Sequence, residues 1–564
     1  MNDLTIKKFD PVKLFLVGAC LILILFFFFD LSPRTSIAQS QVPFLGKPPL
    51  TEALFSKGEA LYQKHCVSCH GALGAGDGEA AYLLYPKPRD FTRGEFRLVS
   101  TTDMTVRDED LFKTITRGMP GSVMPPWEFL NERDRWGLVY YVRYLIELGM
   151  SEEKGEMTNE RIEKGLLWDQ KKKLATAQID PEAIIKASQE PSVKEEGLTL
   201  GRELFVKACA ACHGNMGRGD GRQIMKDSLG VPLKPRDLTA GIFKGASSPE
   251  ELYCRIVGGL PGSPMPSYHG AFTEEQIWDL IHYVRTLPKP GAEERARLRR
   301  VKIVAHRAQE TLTVDPLAGY WSNIEPVFVS VTPLWWRNDR IEGIEVRALH
   351  NGTQIAILLS WRDAAQDDSI IAPQSFSDGA ALQFSMEEDP PFFAMGSSTS
   401  PVYIWHWKAS WQKDVAEHVD VETAYPNTAI DWYPDQTNYE PGSPFETRDS
   451  KTEFHDPLFI TGWGAGNPLS NPKKRRPAEE ARAKGFGSLT IQIPKVGKAD
   501  AKGVWQDEGW RVVFLRSMNA SEKDALQFAV GKPMNIAFAV WDGFEKDRNG
   551  QKMVSIWDEL TLEK

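Results

Sequence analysis

Residues 58–78 read GEALYQKHCVSCHGALGAGDG, and residues 201–221 read GRELFVKACAACHGNMGRGDG. Each holds a Cys-x-x-Cys-His motif: Cys66, Cys69 and His70 in the first, Cys209, Cys212 and His213 in the second. The likeness continues downstream. KPRDFT at 87–92 returns as KPRDLT at 234–239, and LFKTITRGMPGSVMPPW at 111–127 returns as LYCRIVGGLPGSPMPSY at 252–268. VYYVRYL at 139–145 returns as IHYVRTL at 281–287. An internal repeat of this kind marks one structural module used twice, here over residues 47–150 and 195–290.

The repeated chemistry is that of covalently bound haem. Two cysteines three apart on a helical turn can form thioethers with the two haem vinyl groups. The histidine that follows then lies under the iron. A ligand for the opposite face must come from elsewhere, and Met124 and Met265, each in a PGSxMP stretch, are the candidates. The first copy also offers Met119, but the second has Leu260 there, so the internal comparison selects Met124. A thioether opposite histidine favours ferrous iron, raises the potential and closes the iron to substrate. Zinc would need a second cysteine pair nearby, and a thioredoxin-type pair would need a βαβ context. His65 has no counterpart in the second copy and reads as a surface residue, while Tyr85, Tyr268 and His269 read as packing at a haem edge. Helical spacing predicts helices at 54–64 and 198–208, at 108–117 and 249–257, and at 132–148 and 274–287. The two modules resemble class I cytochromes c, which implies small all-α domains built round two covalent haems c.

The chain has 564 residues, enough for three or four domains. Its net charge of -9 argues against a nucleic-acid partner. The basic run Lys473-Lys474-Arg475-Arg476 is bracketed by Pro472 and Pro477 and reads as a solvated loop. The uncharged run Leu14 to Phe29 follows a lysine-bearing N-terminus. Residues 1–38 are thus expected to be a signal peptide cleaved after Ala38, or a membrane anchor. Both place the rest of the chain outside the cytoplasm, on the periplasmic side of the cytoplasmic membrane. Cysteine use agrees, since four of six lie in the haem motifs; Cys20 falls in the apolar run and Cys254 has no evident mate. Residues 151–194, rich in Lys and Glu, read as a helical, solvated linker, and residues 291–312 as a second linker.

From residue 313 the period changes. Short β-rich runs such as QIAILLSW, VYIWHW, RVVFLRS and IAFAVWDG are separated by turn signals, among them Asn351-Gly352 and Asn549-Gly550. They predict a mainly antiparallel β-sandwich over residues 313–564. GYWSNIEP, the run from FFAMGSS to PVYIWHWKASW, GWGAGNP, KGFGSLT and VWDGFEKDRNGQKMVSIWDEL resemble the haem-binding domain of ethylbenzene dehydrogenase γ-subunits. Those are electron-transfer subunits of DMSO-reductase-family molybdoenzymes. The resemblance implies a non-covalent haem b held between a methionine and a lysine, which match Met395 in FFAMG and Lys552 in NGQKMVSIW. Strand alternation puts Lys552, Val554 and Ile556 on one face. Trp405 and Trp407 are candidates for the haem b pocket. His406 is a rival ligand, but alternation sets it on the face opposite those two tryptophans. GWGAGNP reads as a loop, because no strand-then-helix context supports a nucleotide site.

These readings describe a multidomain relay with no catalytic residue of its own. The expected partners are iron–sulfur and molybdopterin subunits on one side and a soluble cytochrome c or terminal oxidase on the other. The domain combination looks like γ-subunits of nitrite oxidoreductases, with related chlorate, selenate and hydrocarbon enzymes as alternatives. Two other classes compete: a dihaem cytochrome whose sandwich binds carbohydrate, for which the aromatic run 403–411 would serve, and an autonomous haem enzyme such as a peroxidase.

Overall fold

The computed structural model describes residues 46–150, 167–176, 179–227, 230, 232–391, 395–417, 425, 427, 476–492, 498–519 and 525–564. The N-terminal apolar segment, residues 151–166 of the first linker, GWGAGNP and Lys473 to Arg475 lie outside them. Pro48–Lys564 pack as one compact unit. No described helix is long and apolar enough to cross a membrane.

The first module is built on helices α1 (Glu52–His65), α2 (Asp108–Arg117) and α3 (Glu132–Met150). Helix α4 (Trp168–Leu174) follows. The second module repeats the plan with α5 (Glu195–Ala208), α6 (Pro249–Gly258) and α7 (Glu274–Val284). Two of the starts carry threonine caps. Thr51 caps α1 by accepting from the Leu54 amide at 3.3 Å, and Thr273 and Gln276 cap α7 reciprocally at 3.3 and 2.9 Å. The first and last helices of each module cross at a glycine. A Cβ on Gly58 would stand 2.0 Å from the Gly137 carbonyl oxygen, and one on Gly201 would stand 2.1 Å from that of Asp279. A short helical turn, Val67–His70 or Ala210–His213, carries each haem motif directly after α1 or α5.

The C-terminal region is one sheet of fourteen strands. These are β1 (Lys302–Arg307), β2 (Val327–Ser330), β3 (Thr332–Pro333), β4 (Gly343–His350), β5 (Gln354–Arg362), β6 (Gly379–Ser385) and β7 (Val402–Lys408), followed by β8 (Ala478–Ala483), β9 (Thr490–Gln492), β10 (Asp500–Trp505), β11 (Gly509–Ser517), β12 (Met534–Trp541), β13 (Met553–Val554) and β14 (Asp558–Leu562). The main path runs β9-β8-β7-β6-β12-β14-β1-β4-β5-β11-β10. Pairing is antiparallel except on both sides of β1, which lies parallel to β14 and β4. The sheet folds over so that its two halves enclose one core. Trp407 of β7 meets Trp510 of β11, far along the path, at 5.0 Å in an edge-to-face contact. Gly503 of β10 leaves the room, since a Cβ there would stand 2.4 Å from the Trp407 ring. The expected sandwich is therefore present, but as one continuous sheet.

Three expectations need correction. Residues 291–312 are not all linker: Lys302–Arg307 within them is the strand that joins the two halves of the sheet, a role its six residues do not announce. The described part of 151–194 is not simply solvated. Ser100 and Thr102 of the first module exchange backbone hydrogen bonds with Ile185 and Ala183, and the Trp278 indole donates to Ser188 at 3.0 Å. His65 is buried, 4.8 Å from the Trp127 ring, and burial lowers its pKa to about 4.

Candidate haem chambers

In the first module Cys66, Cys69, His70, Met119 and Met124 line one chamber. His70 stacks on Phe91 at 4.6 Å, and its Nδ1 lies 3.1 Å from the Arg89 carbonyl oxygen. That contact fixes the ring and leaves Nε2 for a partner. Burial holds the His70 and His213 pKa values down to about 4, so both rings are neutral at pH 7, as a metal ligand must be. His213 Nδ1 is buried without a hydrogen-bond partner among the described residues. The thiols of Cys66 and Cys69 are pushed up to about 12 and that of Cys209 to about 11, chiefly by burial. They are not the acidic thiols of a disulfide oxidoreductase. The methionine loops match: the Met119 amide donates to the Met124 carbonyl at 3.1 Å, and the Leu260 amide to that of Met265 at 3.2 Å. Tyr268 stacks on Phe272, and its hydroxyl donates to the Ala208 carbonyl at 3.1 Å. His269 is exposed.

A larger cavity, of about 840 Å³, opens on the outer face of the half-sheet β8-β7-β6-β12-β13. Its floor is paved with small residues: Gly379 and Ala381 of β6, Ala481 of β8, Ala537 and Ala539 of β12. Alternation decides which side chains reach it. On β7, Ile404, His406 and Lys408 face the cavity, whereas Trp405 and Trp407 are wholly buried between the sheet halves. The two tryptophans proposed for the pocket therefore pack the core behind its floor. Met395 and Lys552 both line the cavity. Lys552 and Val554 face it, and Met553 between them is buried in the core. Ile556, expected on the same face, lies past the end of β13 and is not part of the wall.

The Lys552 amine has no hydrogen-bond or ion-pair partner among the described residues. It stands 4.9 Å over the Trp541 ring, and burial lowers its pKa to about 8. A flat floor of glycine and alanine, a thioether and a buried amine without a counter-charge fit a planar macrocycle whose iron takes sulfur and nitrogen ligands. His406 lines the same cavity, with its ring 4.9 Å from Trp541 and 5.1 Å from Trp411. The Gly/Ala alternation in DGAALQFS and NIAFAVW is the sequence signal for this floor.

The first module closes one side of this cavity. Tyr85, expected at a haem edge, stacks instead on Trp335 at 5.2 Å, and its backbone pairs with Leu334 and Trp336. The Leu334 amide donates in turn to the Lys552 carbonyl at 3.0 Å. Gly550 permits the approach, since a Cβ there would stand 2.8 Å from a Leu83 methyl. Cys69, Leu84 and Val123 line both this cavity and the chamber of the first module, so one layer of side chains separates the two.

The ethylbenzene dehydrogenase family matches residues 318–553. The family of subunit III of cbb3-type cytochrome c oxidase matches residues 53–142, and the cytochrome c family matches residues 198–288. A protein of Haloferax mediterranei, provisionally named respiratory nitrate reductase heme subunit ORF7, is 25% identical over 38% of this chain and 55% of its own length. The chain thus spans little more than half of that relative. Chlorate reductase subunit gamma of Ideonella dechloratans is 21% identical over 44% of this chain and 78% of its own. A solved chain of the Kuenenia stuttgartiensis reducing HAO-like protein complex Kustc0457/Kustc0458 is 33% identical over 43% of this chain and 100% of that one, at a TM-score of 0.35. The protein thus carries two cytochrome c domains followed by a domain of the ethylbenzene dehydrogenase family.

Proposed function

We propose that the chain is an electron-transfer subunit that passes single electrons through one haem b and two haems c. The observation that carries this reading is the shared wall: Cys69, a thioether position of the first haem c, also borders the cavity of Met395 and Lys552. Haem b in that cavity would be one side chain from the haem of the first module. Met395 and Lys552 would hold the iron of haem b. His70 with Met124, and His213 with Met265, would hold those of the two haems c. With both axial positions filled at each iron, charge moves and no substrate binds.

The relatives named as haem or γ subunits of reductases support a role beside a catalytic partner. That partner belongs to the molybdopterin and iron–sulfur class and acts on an oxyanion, as a nitrite oxidoreductase does. Electrons leave to a soluble cytochrome c or a terminal oxidase on the outer side of the cytoplasmic membrane. Haem counting tests the reading. The relay requires about one acid-extractable haem beside two that stay with the polypeptide in a pyridine haemochrome assay. A purified chain with only covalent haem would refute it and favour a dihaem cytochrome with a different ligand in the sheet cavity. Carbon monoxide binding to the reduced native protein would instead reveal an open iron and a haem enzyme.

A further inference from the structure

The chamber of the first module is lined by five lysine and arginine side chains; Lys87 donates to the Ala81 and Tyr82 carbonyls, and of the other four, two belong to the other module. Arg89 and Arg97 come from the first module, Arg236 and Lys244 from the second. In the repeat these are the same two positions used twice: Arg89 and Arg236 lie in KPRD, and Arg97 and Lys244 follow the phenylalanines Phe96 and Phe243. Among the described residues counter-charge is scarce: Asp110 lines the chamber, but its carboxylate accepts from the Ser100 and Arg107 amides at 3.0 and 3.1 Å. Arg97 pairs with Asp227 at 3.2 Å, while neither Arg89 nor Lys244 has an ion-pair partner. Arg236 is buried; it donates to the Gly121 carbonyl at 2.5 Å, and its Nε has no partner, nor has that of Arg97. Mutual repulsion adds to burial in holding the Lys244 amine far below its ordinary range. Arg236 also rests on the Trp336 ring at 3.9 Å, and among the described residues the unpartnered Nε donors of Arg97 and Arg236 remain open to an anion.

We propose that the two modules build one anion seat between them, in which Arg89, Arg97, Arg236 and Lys244 receive the propionate carboxylates of the haem attached at Cys66 and Cys69. This rests on the haem reading above. Guanidinium groups suit carboxylates because they donate in pairs, and a lysine adds a point charge. The second module thereby completes the cofactor site of the first.

The test uses the full haem-loaded chain with Lys244→Gln, Lys244→Arg and Arg236→Gln. Among the described residues Lys244 makes no hydrogen bond, so its replacement leaves none of them unpaired. Haem content comes first: absence of covalent haem from the wild-type chain refutes the haem reading and the seat with it. Spectroelectrochemical titration then follows the two c-type steps, and Met124→His marks the one that belongs to the first module. The expected result is a lower potential for that step in K244Q and R236Q. The equilibrium for reduction should change about tenfold, or about 59 mV for one electron, with K244R close to wild type. An unchanged first-module potential in both glutamine variants overturns the proposal, even if their melting temperatures fall. So does a shift confined to the second-module step.

Discussion

A lysine amine inside a protein must find a partner or give up its proton. Lys552 stands over the Trp541 ring with no carboxylate beside it, in a cavity that also holds Met395. If its partner is iron, Lys552→Ala should remove or shift the b-type absorption of the reduced protein and leave both c-type haems in place. An unchanged spectrum would exclude Lys552 as a ligand. Another group of buried charges sets a pH dependence. Oxygens of Asp363, Asp378 and Asp542 lie within 4.8 Å of one another. Burial first, and then the neighbouring carboxylates, push Asp363 up to about 8; burial likewise pushes Asp378 up to about 7. The unfolded chain releases these protons near pH 4, so over this range the folded form binds more protons than the unfolded. Stability contributed by this group is therefore lost as pH rises from about 4 to 8. In a chelator-containing buffer the melting temperature of the sheet domain should fall from pH 5 to 8, and Asp363→Asn should flatten the slope. A rise across that window would contradict the assignment.

At the scale of elements, two periodicities explain most of the fold. The helices of both modules follow their apolar spacing, and their observed limits lie within a few residues of those expected. Their crossings depend on glycine. At Gly58 and Gly201 an added methyl would collide with backbone on the facing helix, which must then move. Gly58→Ala and Gly201→Ala should each cost about 1–3 kcal/mol, read as a lower denaturation midpoint, with Gly319→Ala a milder control because nothing lies within 4 Å of its missing Cβ and its backbone is not in the positive-φ region. In the sheet the period of two was legible, and it correctly separated His406 from its tryptophan neighbours. It did not reveal which face would meet the cavity and which the core, because each face of a folded sheet is apolar. Lys302–Arg307 was missed for a related reason. A strand of six residues shows its role only when β14, over 250 residues later, comes to lie beside it.

For the whole molecule, the contacts between domains set the order of the centres. The sheet domain meets the first module through Tyr85, Trp335 and Gly550, and the second module meets the first through Arg255. The Arg255 guanidinium is buried and donates to the Val99 carbonyl at 2.8 Å and the Arg97 carbonyl at 3.3 Å. Charged hydrogen bonds of this kind contribute about 1.5–3 kcal/mol each. Arg255→Ala should therefore split a joint thermal transition of the two cytochrome domains into separate ones in calorimetry, while haem content stays the same. A single unsplit transition at the wild-type temperature would show that other contacts hold the modules together.

The amino-acid order alone determined what bonds and periods within a short span determine. The two attachment motifs, their histidines and matched methionines, the helices around them and the strand character of the last third are all written within a few turns or strands of chain. Tertiary structure decided what depends on meetings between distant residues. It turned Trp405 and Trp407 into core, left Lys552 without a counter-charge, buried His65, and gathered basic side chains from both modules in one chamber. Burial and long-range electrostatics are sums over neighbours that the linear order does not name, so these features existed only once the chain had closed on itself.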